Sequence, residues 1–406
     1  MSASIDSRTL QPGDVFYALR GEHSDGNAFV EAALTRGASA AVVAAARAPQ
    51  FSSALQPHLR VVDDPLRALQ DDARQHRRQW GGPLVAITGS AGKTTTKEMI
   101  AAVLGVRLRV LKSGGNYNNH LGVPLTLLAL EPGHEVAVVE MGMSHAGEIA
   151  ALAAIAEPTV GVFTNVGSAH LGNFSSIEGI AEAKRELARA IPPAGALVLN
   201  RDDVRVAAFG EGFRGRICRY SACEYTAPLL LPGLHNRANA AAALAVGTLF
   251  AVERSAAEAA LATLPPLPGR GETLRPRGMT FLHDCYNANP EAMVRMLAVL
   301  AATPGQRRIA VLGEMRELGV AAPELHRQVG AAAVRAGVDA LWAVGGAAQQ
   351  YLEGAAAAGF TGPMRFTVDA ASAAAQLRPF LRTGDTVLFK GSRAVHLEDT
   401  VLALIN

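Results

Sequence analysis

At 406 residues, 49% apolar and 18% charged, the chain reads as a globular protein too long for one typical core, so two or three domains are expected. A formal net charge of +2 excludes a global pull toward nucleic acid or an anionic membrane surface, leaving ligand choice to local sites. The three cysteines, Cys218, Cys223 and Cys285, form no C-x-x-C pair and are a poor number for a disulfide framework, which points to a reducing, cytoplasmic setting.

In the amino-terminal MSASIDSRTLQPGD an early Asp and Arg leave no apolar run, so no secretory signal is expected. The first block, 1–80, offers a strand-like DVFYAL, a helix-like NAFVEAALTRG and a second strand candidate, ASAAVVAAA. It closes on DDARQHRRQWGGP, a polar helix followed by a Gly-Pro break. The second block, 81–267, opens with LVAITG and repeats short apolar runs at EVAVVEMG, TVGVFTNVG and ALVLN, separated by helical patterns such as SIEGIAEAKRELARAI. Its longest nearly uncharged helical stretch, ANAAAALAVGTLFAV at 238–252, is too short to span a bilayer and reads as a buried helix. Proline-rich LPPLPGRGE marks a boundary, after which 268–406 carries MTFLHD, RRIAVLG, DALWAVG and DTVLFKG, each followed by a helical pattern. This alternation predicts three α/β domains with parallel sheets covered on both faces.

The stretch ITGSAGKTTTKEMI falls one glycine short of the common phosphate loop G-x-x-x-x-G-K-[ST], because Ile87 stands where the first glycine belongs. A strand, Gly89 and Gly92, and a helix opening at Lys93 and Thr94 still supply what a phosphate needs: inward N–H groups and a cation. Lys93 suits the β/γ-phosphates of ATP and the Thr94 hydroxyl suits Mg²⁺. The plainer reading is a glycine turn with a surface lysine. Glu140 follows one apolar run, and Asn165 and His170 follow another. Each alone is most simply a structural polar group, but at the same sheet edge as the loop Glu140 and His170 become candidate metal ligands. Lys184 lies on a helix whose apolar face is Ile177, Ile180, Ala181, Leu187 and Ala188; spacing alone favours a solvated lysine paired with Glu182 or Glu186.

Together these stretches resemble the Mur ligase superfamily, the ATP-dependent amide-forming enzymes of peptidoglycan precursor synthesis. TGSAGKTT is similar to that family's own short phosphate loop. DSRTLQPGDVFYALRGEHSDGNAFVEAALTRGA resembles its amino-terminal uridine-nucleotide domain. GGNYNNHLGVPLTLL and NVGSAHLGNFSSIEGIAEAKREL resemble its central ATPase domain. HDCYNANPEAM, AVLGEMRELGVAAPELH and VLFKGSRAVHLEDTV resemble the MurF branch, and the D-N-P-R signature of the MurE branch is absent. The resemblance implies a central parallel-sheet P-loop ATPase domain flanked by a small amino-terminal α/β domain and a carboxy-terminal Rossmann-like domain.

By that resemblance Gly89, Ser90, Ala91, Gly92, Lys93, Thr94 and Thr95 would hold the ATP phosphates, and Thr94, Glu140 and His170 would bind Mg²⁺. Lys93, Glu140, His170 and Lys184 would form the catalytic set; Lys184 matches a position that several Mur ligases carbamoylate to bridge the metal. Asn236, Asn239 and Asn287 would approach the adenine or ribose, and Arg270 the phosphates. Ser7 and Arg8 would contact UDP, while Asn116, Asn118 and Asn119 would line the muramoyl-peptide channel. Asn289, Lys390 and Arg393 would serve the substrates, the last two near the carboxylate of the incoming dipeptide.

The chain departs from the pattern at His283, where aspartate is expected, and at Arg237, where an apolar residue is usual. It begins almost at DSR, without an opening strand and helix, and the segment between RGRICRYSACEYTAP and LLLPGLHN is short. The implied enzyme is a monomer that joins D-alanyl-D-alanine to UDP-N-acetylmuramoyl-tripeptide through an acyl phosphate, with no nucleic acid or membrane partner. The rivals are a MurE-like or folylpolyglutamate-synthetase-like ligase, and a phosphate-loop switch protein that uses nucleotide to control shape.

Overall fold

The computed structural model describes residues 2–21 and 24–405, arranged as three sheets in series. In the first, β1 (Ala3–Ser4), β2 (Val15–Tyr17), β3 (Ala40–Ala44) and β4 (Leu59–Val62) lie side by side in chain order, all parallel. Just before DSR, Ala3 and Ser4 pair with Val15 and Phe16, a run too short to leave an apolar signature. Helix α1 (Val30–Thr35) connects β2 to β3, and α2 (Pro65–Trp80) leaves the sheet. The Asp64 carboxylate starts α2 by accepting from the N–H groups of Leu66 (2.8 Å) and Arg67 (3.2 Å). Gly81 ends it in a left-handed conformation.

The central sheet contains β5 (Leu84–Thr88), β6 (Val110–Lys112), β7 (Val136–Glu140), β8 (Val160–Phe163), β9 (Ala196–Asn200) and β10 (Arg216–Tyr220). Their order is β10-β9-β8-β5-β7-β6, parallel throughout. Successive residues of β5 point to opposite faces. Leu84 and Ala86 pack with α4 (Gly122–Leu128), α5 (Glu148–Ala156) and α6 (Ile177–Ala190). Val85 and Ile87 pack with α3 (Lys93–Gly105), α8 (Leu234–Leu249) and α9 (Arg254–Ala262). A short α7 (Val204–Ala207) follows β9. Burial on both faces explains why these strands read as unbroken apolar runs. Most of the uncharged 238–252 stretch falls in α8, with Ala240, Ala241, Ala242 and Ala243 all buried, while 250–252 lies past its end.

The third sheet has the order β11-β12-β16-β13-β14-β15. It comprises β11 (Glu272–Leu274), β12 (Thr280–Asp284), β13 (Arg307–Gly313), β14 (Ala340–Val344), β15 (Met364–Thr367) and β16 (Asp385–Lys390). β11 runs antiparallel to β12, so this sheet is mixed. Helices α10 (Pro290–Ala302), α11 (Ala322–Arg335) and α12 (Gln349–Ala357) contribute to the apolar cluster on one face, and α13 (Ala370–Leu377) and α14 (Leu397–Ile405) to that on the other. No described helix is long and apolar enough to cross a membrane. In parallel sheets of this kind ligands bind beyond the carboxyl ends of the strands; β7, β12 and β16 deliver their last residues, Glu140, Asp284 and Lys390, to one cavity, and the segments after β5 and β8 reach it through Lys93 and His170.

Candidate active site

After Thr88 the chain turns through Gly89, Ser90, Ala91 and Gly92 before α3 opens at Lys93. A Cβ on Gly89 would stand 1.8 Å from the Thr164 hydroxyl oxygen, so only glycine lets the turn pass the end of β8. The loop is fastened in place. Asn165 spends both ends of its amide on Ala91: Oδ1 accepts from the Ala91 N–H (3.0 Å) and Nδ2 donates to the Ala91 carbonyl (2.9 Å). Thr164 Oγ1 donates to the same carbonyl at 2.7 Å. The Ser90 hydroxyl donates to the Gly167 carbonyl (3.2 Å) and accepts from the Gly167 N–H (2.9 Å). Asn165 is therefore a clamp on the loop.

Lys93 Nζ curls back to donate to the Gly89 carbonyl at 2.8 Å. It is partly accessible yet deep in the cleft, and the loss of bulk water lowers its ammonium pKa below the ordinary lysine value; Arg270 adds to this, while Glu140 and Glu317 oppose it. Beside it Thr94 Oγ1 donates to Glu140 Oε2 (2.7 Å), and Asn118 Nδ2 donates to the other carboxylate oxygen (2.8 Å). The Glu140 N–H donates to Ser113 Oγ at 3.2 Å. Fully buried Lys97, one turn into α3, donates to the carbonyls of Ser113 (2.7 Å) and Gly115 (3.2 Å), fixing the segment that leads to Asn116 and Asn118.

A cavity of about 930 Å³ opens over the loop, walled by Arg67 of α2, by Lys93 and Glu140, and by Arg270, Asp284 and Lys390 from the third sheet's side. That volume suits a drug-sized or cofactor-sized ligand. Buried Lys390 donates to Asp284 Oδ2 (2.6 Å) and to the Asn287 carbonyl (2.8 Å). His235 is held neutral: burial lowers its pKa to about 4, opposed by Asp284 and reinforced by Arg295 and Lys390. The Tyr286 ring has the Arg270 guanidinium 3.7 Å from its centroid and that of Arg393 at 5.6 Å, both cation–π distances.

The loop after β8 also meets the third sheet's side. Glu291 on α10 accepts from the Ser168 N–H (2.9 Å) and hydroxyl (3.0 Å). Glu317 Oε2 lies 2.5 Å from His170 Nδ1, close enough for an ion pair but off the hydrogen-bond line. The Gly172 N–H donates to the Glu317 carbonyl at 3.0 Å, and a Cβ on Gly172 would come within 2.9 Å of the Gly319 nitrogen.

Family models match along most of the chain: a Mur ligase family catalytic domain over residues 2–77, a Mur ligase middle domain over 87–224, and a Mur ligase glutamate ligase domain over 269–393. The UDP-N-acetylmuramoyl-tripeptide–D-alanyl-D-alanine ligase of Synechocystis is 39% identical, across 98% of this chain and 91% of the relative. The chain belongs to the Mur ligase family. Among solved structures, MurF from Acinetobacter baumannii superposes with a TM-score of 0.89 at 31% identity, covering 100% of this chain and 93% of that one. MurF from Thermotoga maritima in complex with ADP gives 0.85 at 29% identity, covering 99% and 96%.

In this Mur ligase Ser90, Ala91, Gly92, Lys93, Thr94 and Thr95 line the cavity, while Gly89 sits behind them against Thr164. Asn236, Asn239, Arg270 and Asn287 line it too. Asn239 abuts the loop at Gly92, where a Cβ would be 2.8 Å from its Oδ1, and donates to Asn236 Oδ1 at 3.1 Å. Thr94 and Glu140 are brought together as anticipated, and a hydroxyl beside a carboxylate fits a hard divalent cation such as Mg²⁺. His170 lines the same cavity but is engaged with Glu317. No group of three or more His, Cys, Asp or Glu side chains suited to a metal is found among the described residues.

One expectation needs correcting. Lys184 is not solvated. It is 2% exposed and makes no hydrogen bond or ion pair with the described residues, and burial pushes its amine well below the ordinary lysine pKa, with Lys93 adding to the shift. Asn116, Asn118, Asn119 and Asn289 line the cavity. Two of them are also helix caps: Asn119 Oδ1 accepts from the N–H groups of Leu121 (3.1 Å) and Gly122 (2.9 Å), and Asn289 Oδ1 from that of Ala292 (2.9 Å). Ser7 and Arg8 do not reach this cavity. Arg8 is exposed and paired with Asp6 (2.7 Å), and Arg36 Nη1 donates to the Ser7 and Arg8 carbonyls at 3.0 Å each. Arg393 also stands outside the lining, beside Tyr286. His283 takes Glu272 as its partner, Nδ1 to Oε2 at 3.2 Å. Arg237 is exposed on α8, and nothing in the structure explains it.

Lys97, Tyr286, Glu291, Arg295 and Glu317 escaped the sequence reading. Tyr286, Glu291 and Glu317 sit inside strings that carried the family resemblance, so attention to each letter would have raised them. No spacing rule marks Lys97 or Arg295.

Proposed function

We propose that this chain is an ATP-dependent amide ligase that adds D-alanyl-D-alanine to UDP-N-acetylmuramoyl-tripeptide in cytoplasmic peptidoglycan precursor synthesis. One observation carries the reading: a clamped anion-binding loop, a Thr94–Glu140 oxygen pair and polar walls from the sides of all three sheets face one cavity. A nucleotide and two further substrates need such a meeting point. The working units are 1–80 for the UDP end, 81–267 for ATP and 268–406 for the dipeptide.

A carboxylate and an amine do not condense unaided, because hydroxide is a poor leaving group. The tripeptide carboxylate attacks the γ-phosphorus of ATP, the bond to the β-phosphate oxygen breaks, and an acyl phosphate and ADP result. The dipeptide amine then attacks the acyl carbon; as the C–N bond forms, the amine loses a proton and phosphate departs. Lys93, Arg270 and the N–H groups that open α3 face the phosphate charge that builds up during the first step. Mg²⁺, held by Thr94 and Glu140 when bound, supplies Lewis-acid screening between the two anions that must approach each other. Asn118 orients the Glu140 carboxylate, and Lys97 through Ser113 holds the strand end that carries it. Burial lowers the Lys184 amine pKa and so favours its uncharged form, the form that adds carbon dioxide to give the carbamate the resemblance implies. Ser7 and Arg8 contact UDP outside the central cavity, and Lys390 and Arg393 lie toward the dipeptide carboxylate.

A coupled phosphate-release assay with each candidate acceptor tests this. Turnover is expected with D-alanyl-D-alanine and falls roughly 10²–10³-fold or more in Lys93→Ala, as when a single charge-stabilising donor is lost from an enzyme. Turnover with free diaminopimelate but not the dipeptide would overturn the assignment. Hydrolysis indifferent to every acceptor would point to a switch protein instead.

A further inference from the structure

Arg295 stands on α10 with its side chain at the wall of the main cavity, and none of its five N–H donors is used by a described residue. The groups nearest in charge are committed elsewhere. Glu291, one turn earlier, is spent on Ser168. Asp203 Oδ1 caps α7 through the N–H groups of Arg205 (3.0 Å) and Val206 (3.1 Å), and its Oδ2 accepts from the Val166 N–H (2.8 Å). The Tyr220 hydroxyl donates to the Phe163 carbonyl at 2.9 Å. Burial lowers the Arg295 pKa, with Glu291, Asp203 and Tyr220 opposing. A half-buried cation left without a partner is costly, so its partner is expected to be a ligand.

Two features decide which part of a ligand. Glu140 and Asn118 lie on the β7 and β6 side of the phosphate loop, whereas Asp203 follows β9 and Tyr220 ends β10, on the opposite flank. If the acid to be activated meets the terminal phosphate beside Glu140 and Asn118, the nucleoside extends toward the β9–β10 flank. The charges agree. Lys93 and Arg270 cluster at the phosphate loop, but Arg295 sits among carboxylates that disfavour a second anion. Its neighbours in the wall are Met296, Ala292 and the neutral imidazole of His235. A planar guanidinium in such a wall suits a flat, neutral aromatic ring.

We propose that Arg295 closes the base end of the nucleotide seat, laying its guanidinium plane against the purine ring. The inference rests on the nucleotide reading of this cavity given above. It is tested by equilibrium binding of ADP and of inorganic tripolyphosphate to the full-length protein by calorimetry. Arg295→Ala and Arg295→Met, the second keeping the apolar stem, should each weaken ADP about tenfold, the scale of a desolvated cation–π contact, and leave tripolyphosphate unchanged. Arg295→Lys keeps the charge but loses the plane, and should resemble Arg295→Met. ADP binding that is unaltered in both apolar variants, full rescue by lysine, or equal weakening of both ligands would overturn the proposal. Wild-type protein that binds neither ligand would sink the nucleotide reading itself, a result distinguishable from wild-type binding with unresponsive variants.

Discussion

Between the amino-terminal and central sheets, Tyr17, Val42, Leu69 and Ala73 pack into the same apolar cluster as Leu84, Leu127 and Leu152. Arg77 of α2 is buried in this junction, its Nε donating to the Ala156 carbonyl (2.8 Å) and its Nη2 to that of Glu157 (3.1 Å). Between the central and third sheets no cluster of buried apolar side chains is shared among the described residues. There Glu291 grips Ser168, Glu317 stands by His170, and Gly172 touches Gly319. A shared core resists separation because parting it exposes apolar area, whereas polar contacts exchange for water at little net cost. The first junction is thus suited to hold the amino-terminal sheet at a fixed distance from the loop. The second is suited to open for product release and close for chemistry.

The contrast breaks most visibly at Leu69. Leu69→Ala should destabilise the protein by about 2–5 kcal/mol, the usual range for a buried leucine. The first two sheets should still unfold in one calorimetric transition; separate melting would show that their core is not shared. Arg77→Ala leaves two carbonyls unpaired and should cost about 2 kcal/mol, read as a lower denaturant midpoint at unchanged slope. Glu291→Ala should behave oppositely, with stability moved by less than about 1 kcal/mol and kcat lowered roughly tenfold, because closure weakens while folding does not. Small-angle scattering should show a larger mean radius; a stability loss matching that of Leu69→Ala would abolish the contrast.

The smallest effect concerns pH. His170 holds the Glu317 carboxylate below its ordinary pKa, and Lys93 assists against the opposing effect of burial. A depressed carboxylate pKa contributes to closure fully above its ordinary value, and that contribution is lost as pH falls through the lowered one. Interdomain distance, measured by paired fluorophores, should therefore increase in that acidic window. Glu317→Gln should remove the dependence.

Much of the architecture was legible in the sequence, and what was not has a common cause. The buried interior strands β5, β7, β8, β9, β12, β13, β14 and β16 announced themselves as apolar runs. The strands that passed unseen, β1, β4, β6, β10, β11 and β15, all lie at sheet edges, where half-exposed residues break the run. In the site, the glycine turn, Lys93, Thr94 and Glu140 were legible because local spacing determines that chemistry. Asn289, expected only to serve the substrates, also caps α10. Lys184 misled because its position on the helix does not reveal what covers it. Arg295 was invisible for a different reason: only the fold brings α10 beside β9 and β10.

The touch of Gly172 on Gly319 sets a limit on how tightly the jaws can shut. Main chain rests on main chain there, with nothing bulkier than hydrogen between, so the stopping point is fixed by the thickness of the peptide itself. Adding one methyl group at residue 172 would act as a doorstop: the bite would stay ajar by a small, definite amount, and the catalytic rate would gauge how many tenths of an ångström phosphoryl transfer tolerates.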